Sequence, residues 1–403
     1  MTLTALRPAT ALGASRLLAA SSPVVGEHVA LFGPLPEARR DVLLRELEAS
    51  GLDGRGGAAF PTWRKIAAVD AASGRAVLIA NGAEGEPLSH KDAVLLARSP
   101  HLVLDGLLLV ARLAGATELH LYTGAAQLAP VRQAIAERSD ADGILLHEAP
   151  DTFISGEASA VVSAIRTGRA LPTDRTVRLT ETGLRGRPTL VHNVETLAHV
   201  ATIARWGADW FRQAGSSDAP GTRLITVTAG GRSQVAEVSG GIRLDEALAA
   251  AGVDPARAAA VLVGGYHGAW VPGSALGVRL SSADLAPFGA SPGAGILMVL
   301  DHGVCPLDTA AQITTYLAGQ SARQCGPCVN GLPRMAETLS RLARGTADAQ
   351  TEAEVRRFAA LVSGRGSCHH PDGTARLVLS TLTVFAADVA AHLTGTCERR
   401  ARS

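Results

Sequence analysis

The order of apolar and polar residues along the first half of the chain predicts strands that alternate with helices. An almost uninterrupted apolar run at 75–80 is typical of a strand buried on both faces, and two further strand-like runs occupy residues 118–122 and 143–147. Apolar residues at helical spacing predict helices over 27–50, 93–113 and 157–166, and a further helix beginning within 189–196. This alternation predicts an α/β fold with a parallel sheet and crossover helices.

The pattern changes in the second half of the chain. Two alternating segments around a Gly-Gly turn predict a β-hairpin, and they occupy residues 223–228 and 234–238. A short helix at 242–251 and strands at 261–263 and 295–300 extend the hairpin into a small α+β module. Four helices with short connections then favour a bundle, with members at 309–320, 332–344, 351–362 and 373–393.

These changes of pattern predict four successive parts. We expect an N-terminal tail (1–34), a ligand-binding α/β domain (35–218), the α+β module (219–305) and the helical bundle (306–403). A chain of 403 residues is long enough for each of the three folded parts to bury a core of its own.

Composition narrows the classes of function. A net charge of +1 gives no electrostatic argument for binding nucleic acid or an anionic membrane. The longest apolar run, 102–111, is short for a membrane span and contains Asp105 and Gly106. Five cysteines are few for a disulfide framework, and a Cys-x-x-Cys pair suits a metal in a reducing compartment, so we predict a cytoplasmic protein.

A glycine-rich stretch at 51–65 is the first candidate binding element. Its glycines allow close approach of the backbone to a bound group, and Pro61 suits the first turn of a helix. Arg55 and Lys65 add cationic donors, so the stretch favours a phosphate. It follows a predicted helix, not a strand, and is therefore no ordinary dinucleotide-binding turn. A plain glycine-rich loop is the alternative.

Polar residues follow the predicted strands and open the next helices. Asn81 and Glu84 lie just after the first strand, at the edge where open α/β sheets bind ligands. Glu157, next to Gly156, begins a helix, where a glutamate is also explained by the helix dipole. His192 and Asn193 lie near the start of another predicted helix. Each has a structural alternative. The residues after the first strand could form a solvated turn, Glu157 could interact only with the helix dipole, and His192 could be a packed or capping residue.

Three cysteines are candidate metal ligands. Cys325 and Cys328 lie in the first connection of the predicted bundle, and Cys368 lies in the third. Both connections fall at one end of an up-and-down bundle, which favours a metal or iron–sulfur site over buried inert thiols.

Together these stretches resemble the FMN-binding, NADH-oxidising subunit of respiratory NADH:quinone oxidoreductase and its relatives in hydrogenases and formate dehydrogenases. The similar motifs, in the family's order between residues 35 and 385, are GRGGAAFPT (54–62), NGAEGEP (81–87), ISGE (154–157), VHNVET (191–196) and QCGPC (324–328).

The resemblance implies an α/β flavin-binding domain, a ubiquitin-like β-grasp module and a C-terminal four-helix bundle with a [4Fe–4S] cluster. It implies that a hydride passes from NAD(P)H to FMN and single electrons then pass to the cluster and to partner redox subunits or a ferredoxin-like acceptor. A non-catalytic assembly subunit, or a relay that has lost nicotinamide binding, is the alternative. The residues implied around FMN and nicotinamide are Gly54, Arg55, Gly56, Gly57, Phe60, Lys65, Asn81, Glu84, Gly156, Glu157, His192 and Asn193, with Glu84 and Glu157 as the catalytic candidates.

The chain also departs from the family's motifs. Ala322 replaces the first cluster cysteine, which leaves Cys325, Cys328 and Cys368 and implies either a three-iron form or a fourth ligand from water, His369, His370 or Cys305. Further departures are Ala83, Ala158 and Phe153. Of the aromatic residues that grip adenine in the family, only Phe60 has a counterpart, because the other positions fall near Ala68 and Arg178. We therefore expect a divergent paralogue with weaker NADH binding, in which Arg175 and Arg178 suit the 2′-phosphate of NADPH.

Overall fold

The computed structural model describes residues 15–69, 71–73, 75–174 and 177–397. Its helices are α1 Val25–Phe32, α2 Arg40–Ser50, α3 Thr62–Ala67, α4 Lys91–Arg98, α5 Pro100–Ala114, α6 Ala125–Ala136, α7 Ala158–Thr167, α8 Val194–Arg212, α9 Leu244–Ala250, α10 Ser282–Leu285, α11 Pro306–Gly319, α12 Leu332–Ala343, α13 Thr351–Val362, α14 His370–Val384 and α15 Ala386–Leu393. Its strands are β1 Ala76–Gly82, β2 Ala116–Thr123, β3 Ile144–Glu148, β4 Thr189–Asn193, β5 Thr222–Ala229, β6 Arg232–Ser239, β7 Ala258–Val263, β8 Ala269–Pro272 and β9 Ile296–Asp301.

The first sheet is parallel and has the strand order β3-β2-β1-β4. The three strands predicted from apolar runs are confirmed as β1, β2 and β3. The helix predicted to begin within 189–196 is confirmed, but the sequence analysis missed the strand before it, since Thr189–Asn193 pairs with β1 as the fourth strand. The helix α8 begins at Val194, and the Asn193 side chain caps it by accepting from the Glu195 N–H at 3.0 Å.

Several predicted long helices are divided by bends. The segment 93–113 forms α4 and α5, which meet at 96° where Pro100 starts a new helix, and 373–393 bends by 82° between α14 and α15. The segment 27–50 is likewise split into α1 and α2. Among the described residues, no single helix is long and apolar enough to cross a membrane, and only these two bent pairs reach that length and composition together.

Part of the predicted N-terminal tail packs on the folded chain. Residues 1–14 lie outside the described part, but Leu17 is fully buried, and the backbone N–H groups of residues 16–18 donate to the Glu237 carboxylate on β6. Ser99 also donates to the Leu17 carbonyl oxygen at 2.6 Å. From residue 15 onward the predicted tail is therefore part of the folded chain, because the apolar Leu17 side chain and the Glu237 carboxylate hold the segment in place.

The α/β core lies between the sheet and α5 and α8. Helix α5 is buried over almost its whole length, which explains its apolar run. A Cβ at Gly106 would lie 1.9 Å from the Leu197 carbonyl oxygen, so only glycine allows this approach of α5 to α8. Asp105 is buried and forms ion pairs with Arg205 and Arg138, which satisfies its charge.

The second sheet is mixed, with the order β6-β5-β9-β7-β8 and a parallel β5–β9 pair. The predicted hairpin is confirmed, while the details of a β-grasp stay a prediction. Sequence periodicity misses β8 because it has only four residues. Its Trp270 is fully buried, and the indole N–H donates to Thr381 Oγ1 on α14 at 3.0 Å, which joins the module to the helical region.

Candidate functional site

A cavity of about 360 Å³ opens where the carboxyl ends of β1 and β4 meet the glycine-rich loop. Asn81 and Asn193 are paired residues at these two strand ends. The chain leaves β1 for β2 on one side, and β4 lies on the other, so this is the point where the strand order reverses and α/β sheets bind ligands. Predicted residues lining the cavity are Gly54, Gly56, Phe60, Lys65, Asn81, Gly156, Glu157, His192 and Asn193.

The two asparagines hold the floor of the cavity together. Asn81 Nδ2 donates to the Gly156 carbonyl oxygen at 2.9 Å, and its Oδ1 accepts from the Ala83 N–H at 3.2 Å. Asn193 Nδ2 donates to Asp92 at 2.6 Å and to the Asn81 carbonyl oxygen at 3.3 Å. A Cβ at Gly156 would lie 3.0 Å from the Ala83 carbonyl oxygen, so glycine lets these loops close on each other.

Two buried polar atoms of residues that line the cavity make no hydrogen bond within the described part of the chain. Among the described residues, neither Thr62 Oγ1 nor His192 Nε2 has a hydrogen-bond partner, although both atoms are buried. Burial and the nearby Lys65 keep the pKa of His192 well below its ordinary value, so its imidazole is neutral. Buried polar groups without partners are costly, which indicates that a ligand with several hydrogen-bonding groups belongs here.

Lys65 supplies the cation of this wall. Its ammonium donates to the Val191 carbonyl oxygen, and within the described part of the chain its two other N–H groups have no recorded acceptor. Burial lowers the pKa of Lys65 to about 8. A lysine held this way stays mostly protonated at neutral pH and would gain a counter-ion from an anionic ligand.

The far wall of the same cavity belongs to the helical bundle. Cys368 and the two histidines after it line it at the start of α14, together with His267 and Phe153. The Phe153 ring contacts both His267 and His370 edge-on, with ring centres 4.7 and 5.5 Å apart. Sequence reasoning assigned His267 no role, since no motif marks it. The sheet edge and one end of the bundle therefore share a single space.

The other two predicted cysteines lie at this end of the bundle. A π-helical turn, Pro327–Gly331, follows Cys325, and Cys328 is buried within it. A Cβ at Gly331 would lie 2.2 Å from Val362 Cγ1, so glycine allows this turn to pack against the end of α13, which precedes Cys368.

The thiols of this group influence one another. Burial and the adjacent sulfurs of Cys325 and Cys368 raise the pKa of Cys328 to about 12. Thiolates so close together require a cationic centre, and soft sulfur donors favour an iron–sulfur cluster or zinc. The donor set therefore fits the predicted cluster with three cysteine ligands.

Comparisons with known proteins agree with these two sites. The family profile of the Nuo51 FMN-binding domain matches residues 47–202, and that of the NADH-ubiquinone oxidoreductase-F iron–sulfur binding region matches residues 308–392. The chain is 30% identical over 389 residues to the second NADH-quinone oxidoreductase F subunit of Rhizobium meliloti (strain 1021), covering 91% of this chain and 92% of that protein. It belongs to the family of NADH-quinone oxidoreductase F subunits.

Other relatives give the same assignment. The F subunit of Escherichia coli (strain K12) is 27% identical and is covered over 85% of its length. A chain of the NAD⁺-reducing [NiFe]-hydrogenase, crystallised in the air-oxidised state, superimposes with a TM-score of 0.80 at 29% identity. The match covers 88% of the present chain but only 63% of the hydrogenase chain. The resemblance inferred from the motifs is confirmed, as are an FMN-binding domain and an iron–sulfur region.

Within this family fold, Arg55 does not take the predicted position at a phosphate. Its guanidinium is 5% exposed and lies away from the cavity, where it pairs with Asp53 and donates to the Pro220 and Thr222 carbonyl oxygens at 3.3 and 3.2 Å. The backbone turn that carries it, and not its charge, faces the cavity. Arg55 therefore ties the glycine loop to the start of β5. Gly57, with φ of 106°, shapes the same turn without lining the cavity.

Glu84 is also turned away from the cavity, which argues against the predicted catalytic role. Its carboxylate accepts from Ser89 Oγ at 2.6 Å and from the N–H groups of Asp92 and Ala93 at 3.1 and 2.9 Å. These are the bonds of a cap at the start of α4. Glu157 is a cap as well, since it accepts from the N–H groups of residues 159 and 160, but it does line the cavity.

The sequence analysis did not predict a network of buried charges next to Asn193. Lys91 is 1% exposed and forms ion pairs with Asp92 at 2.7 Å and Glu195 at 2.9 Å. Burial would raise the pKa of Glu195, but Lys91 and Arg55 lower it overall. Asp92 in turn holds Asn193. One signal was available in the sequence, because Lys91 is one of only two lysines and Glu195 lies in the VHNVET motif.

The structure also narrows the predicted fourth ligand of the cluster. Both ring nitrogens of His370 are engaged, one with the Leu317 carbonyl oxygen at 2.8 Å and one with His267 at 3.1 Å. Cys305 lies at the opposite end of α11, so both suggestions are wrong for a cluster at Cys325. His369 has an exposed side chain and one ring nitrogen near Asp372, which leaves it and water as the remaining predictions.

Proposed function

We propose that this chain is the flavoprotein subunit of an NADH-oxidising enzyme, with FMN in the described cavity and a [4Fe–4S] cluster at the adjoining end of the bundle. When bound, FMN accepts a hydride from NADH and releases electrons one at a time. The observation that carries the proposal is the single cavity lined both by the glycine loop and sheet edge and by Cys368. Membership of the family supports this activity and disfavours a non-catalytic assembly role.

Different residues of the cavity contact different parts of FMN in this proposal. Lys65 pairs with the phosphate, and Gly54 and Gly56 allow the backbone to approach it. Thr62 Oγ1 and His192 Nε2, which have no partner among the described residues, bond to the polar groups of the cofactor. Asn81 and Asn193 keep the two strand ends together at the cavity, where they would support the flavin, and Glu157 would line the place where nicotinamide docks.

Nicotinamide nucleotide enters past Phe60, which lines the cavity and is 53% exposed. Ala68 and Arg178 are both exposed and do not line the cavity, and Arg175 lies outside the described residues. We keep the expectation that adenine is gripped less tightly than in the family. Stacking on an aromatic ring contributes about 1–3 kcal/mol per base, so losing two rings weakens binding unless Arg178 compensates.

The multi-subunit enzymes named among the relatives imply partner redox subunits for this chain as well. We propose that electrons leave through the cluster end to such a partner or to a ferredoxin-like acceptor in the cytoplasm. This route starts at the flavin cavity, because Cys368 lines that cavity and is also one of the three candidate cluster ligands.

Anaerobic purification with flavin and iron counted per chain tests the proposal directly. We expect about one FMN and about three to four irons, together with dye reduction that depends on NADH. Protein that stays colourless after reconstitution with excess FMN would refute it. Stopped-flow reduction by NADH and NADPH in parallel then tests the nucleotide. Faster reduction by NADPH that is lost in Arg178→Ala would support the arginine hypothesis, and fast reduction by micromolar NADH would contradict weak binding.

A further inference from the structure

A second group of metal-binding side chains lies at the end of the bundle remote from the cavity. It comprises Cys305 just before α11, His392 on α15 and Cys397 after that helix. Their ligand atoms all lie within 4.8 Å of one another. Cys305 and His392 are buried, and Cys397 is half-buried. The cluster cysteines Cys325 and Cys328 follow the other end of α11, whose 14 residues span about 21 Å.

The histidine of this group is oriented as a ligand. His392 Nδ1 lies 2.8 Å from the Asp388 carbonyl oxygen, which can only accept a hydrogen bond, so Nδ1 carries the proton. The lone pair of Nε2 then points toward Cys305 Sγ, 3.5 Å away. A backbone carbonyl that fixes the tautomer in this way is the usual support of a metal-bound histidine.

The first cysteine of the group lies at the start of a helix. Cys305 is the N-cap of α11, and the start of a helix favours negative charge on a sulfur placed there. Two thiolates side by side in a buried place need a cation between them.

We propose that Cys305, His392 and Cys397 bind one zinc ion, with water as the fourth ligand. Two thiolates neutralise the charge of Zn²⁺, and binding releases the two thiol protons. Sulfur and imidazole ligands that converge on one point suit a single tetrahedral ion better than a cubane, in which each cysteine binds a different iron. The ion fastens α15 to the start of α11.

Metal analysis of the full-length protein tests the site. After anaerobic purification, we expect about one zinc per chain, falling to less than about a tenth in Cys305→Ser and in His392→Ala. The matched control is Cys325→Ser, which removes a thiolate from the other end of the bundle and should leave zinc unchanged. Zinc that is lost in Cys325→Ser but kept in Cys305→Ser would overturn the proposal.

Cobalt provides a second measurement that does not depend on enzymatic activity. Substitution with Co²⁺ should give the ligand-field bands of a tetrahedral ion and a thiolate charge-transfer band, the latter weakened in Cys397→Ser. That variant lies near the end of the described chain and tests the site even if Cys305→Ser does not fold. A Cys305–Cys397 disulfide in the anaerobic protein, found by mass spectrometry of unreduced peptides, would overturn the proposal, as would a zinc content near zero.

Discussion

The two ends of the helical bundle carry similar ligand atoms in different arrangements. At the remote end, Cys305, His392 and Cys397 converge within 4.8 Å, as around one ion. At the cavity end, Cys325, Cys328 and Cys368 do not close to that distance, although their thiols still influence one another. The wider group also borders the flavin cavity, while the compact group does not. Spacing and surroundings, more than residue type, therefore govern which metal chemistry an end of the bundle supports.

The largest effect is expected on iron content, when one candidate metal ligand is removed from either end of the bundle in separate variants. Cys368→Ser takes away one of three cluster thiolates, so we expect most of the iron to be lost while FMN stays bound. Cys305→Ser should leave iron and flavin unchanged. Iron and flavin counted in anaerobic preparations of both variants check this. Equal loss of iron in the two variants would show that the ends are not independent.

Lys65→Ala tests the proposed FMN cavity, which adjoins one end of the helical bundle and not the other. A charged hydrogen bond to phosphate contributes about 1.5–3 kcal/mol, so FMN affinity should fall by about tenfold or more. Metal content at both ends should not change. Titration of apoprotein with FMN, followed by flavin fluorescence, gives the affinity. An unaltered affinity would mean that the phosphate lies elsewhere.

Gly331→Ala should loosen the cavity end selectively. The added Cβ would lie 2.2 Å from Val362 Cγ1, and overpacking of this kind costs about 1–3 kcal/mol. Denaturant unfolding measures the loss. Gly326→Ala is the matched control in the same segment, because a Cβ there meets nothing within 4 Å. If both variants are equally stable, Gly331 does not hold the two connections together.

The pH dependence of FMN affinity should reveal the charge of Lys65. The unliganded pKa is about 8, and phosphate favours the ammonium, so binding requires a proton that is absent at higher pH. Affinity should therefore fall above pH 8 by up to about tenfold per pH unit. Lys65→Arg stays charged and should give a flat profile over the same range. A wild-type profile that is equally flat would exclude the titration of Lys65.

The smallest effect is expected from restoring the family's ligand at the cavity end. Ala322→Cys offers a fourth thiolate, which should slow the loss of iron in air several-fold because no iron of the cluster stays open. Gln324→Cys adds a thiol two residues away and serves as the control. Iron content followed over time in air is the measurement. Equal protection by both variants would point to general thiol chemistry.

The local pattern of the sequence was enough to identify the family and the type of chemistry. Each of the motifs is short, so its residues lie within a few positions of one another in the sequence. These motifs are the glycine loop, the polar residues at the strand ends and the Cys-x-x-Cys pair. The alternation of strands and helices predicted the parallel sheet, and the order of the motifs carried the family resemblance that implied FMN and an iron–sulfur region. The sequence also predicted the position of β1, because an almost continuous apolar run is typical of a strand that is buried on both faces of a parallel sheet.

Which side chains face the cavity could be learned from the three-dimensional packing alone. Arg55 and Glu84 lie in the predicted motifs, yet hydrogen bonds to β5 and α4 turn them away. The pairing of Lys91 with Glu195, and of Cys305 with His392, joins residues about 100 positions apart. Such contacts depend on how helices and sheets pack, and neither periodicity nor motif spacing encodes that distance. The sequence therefore specified what kinds of groups are present, and the packing of the elements specified where they meet.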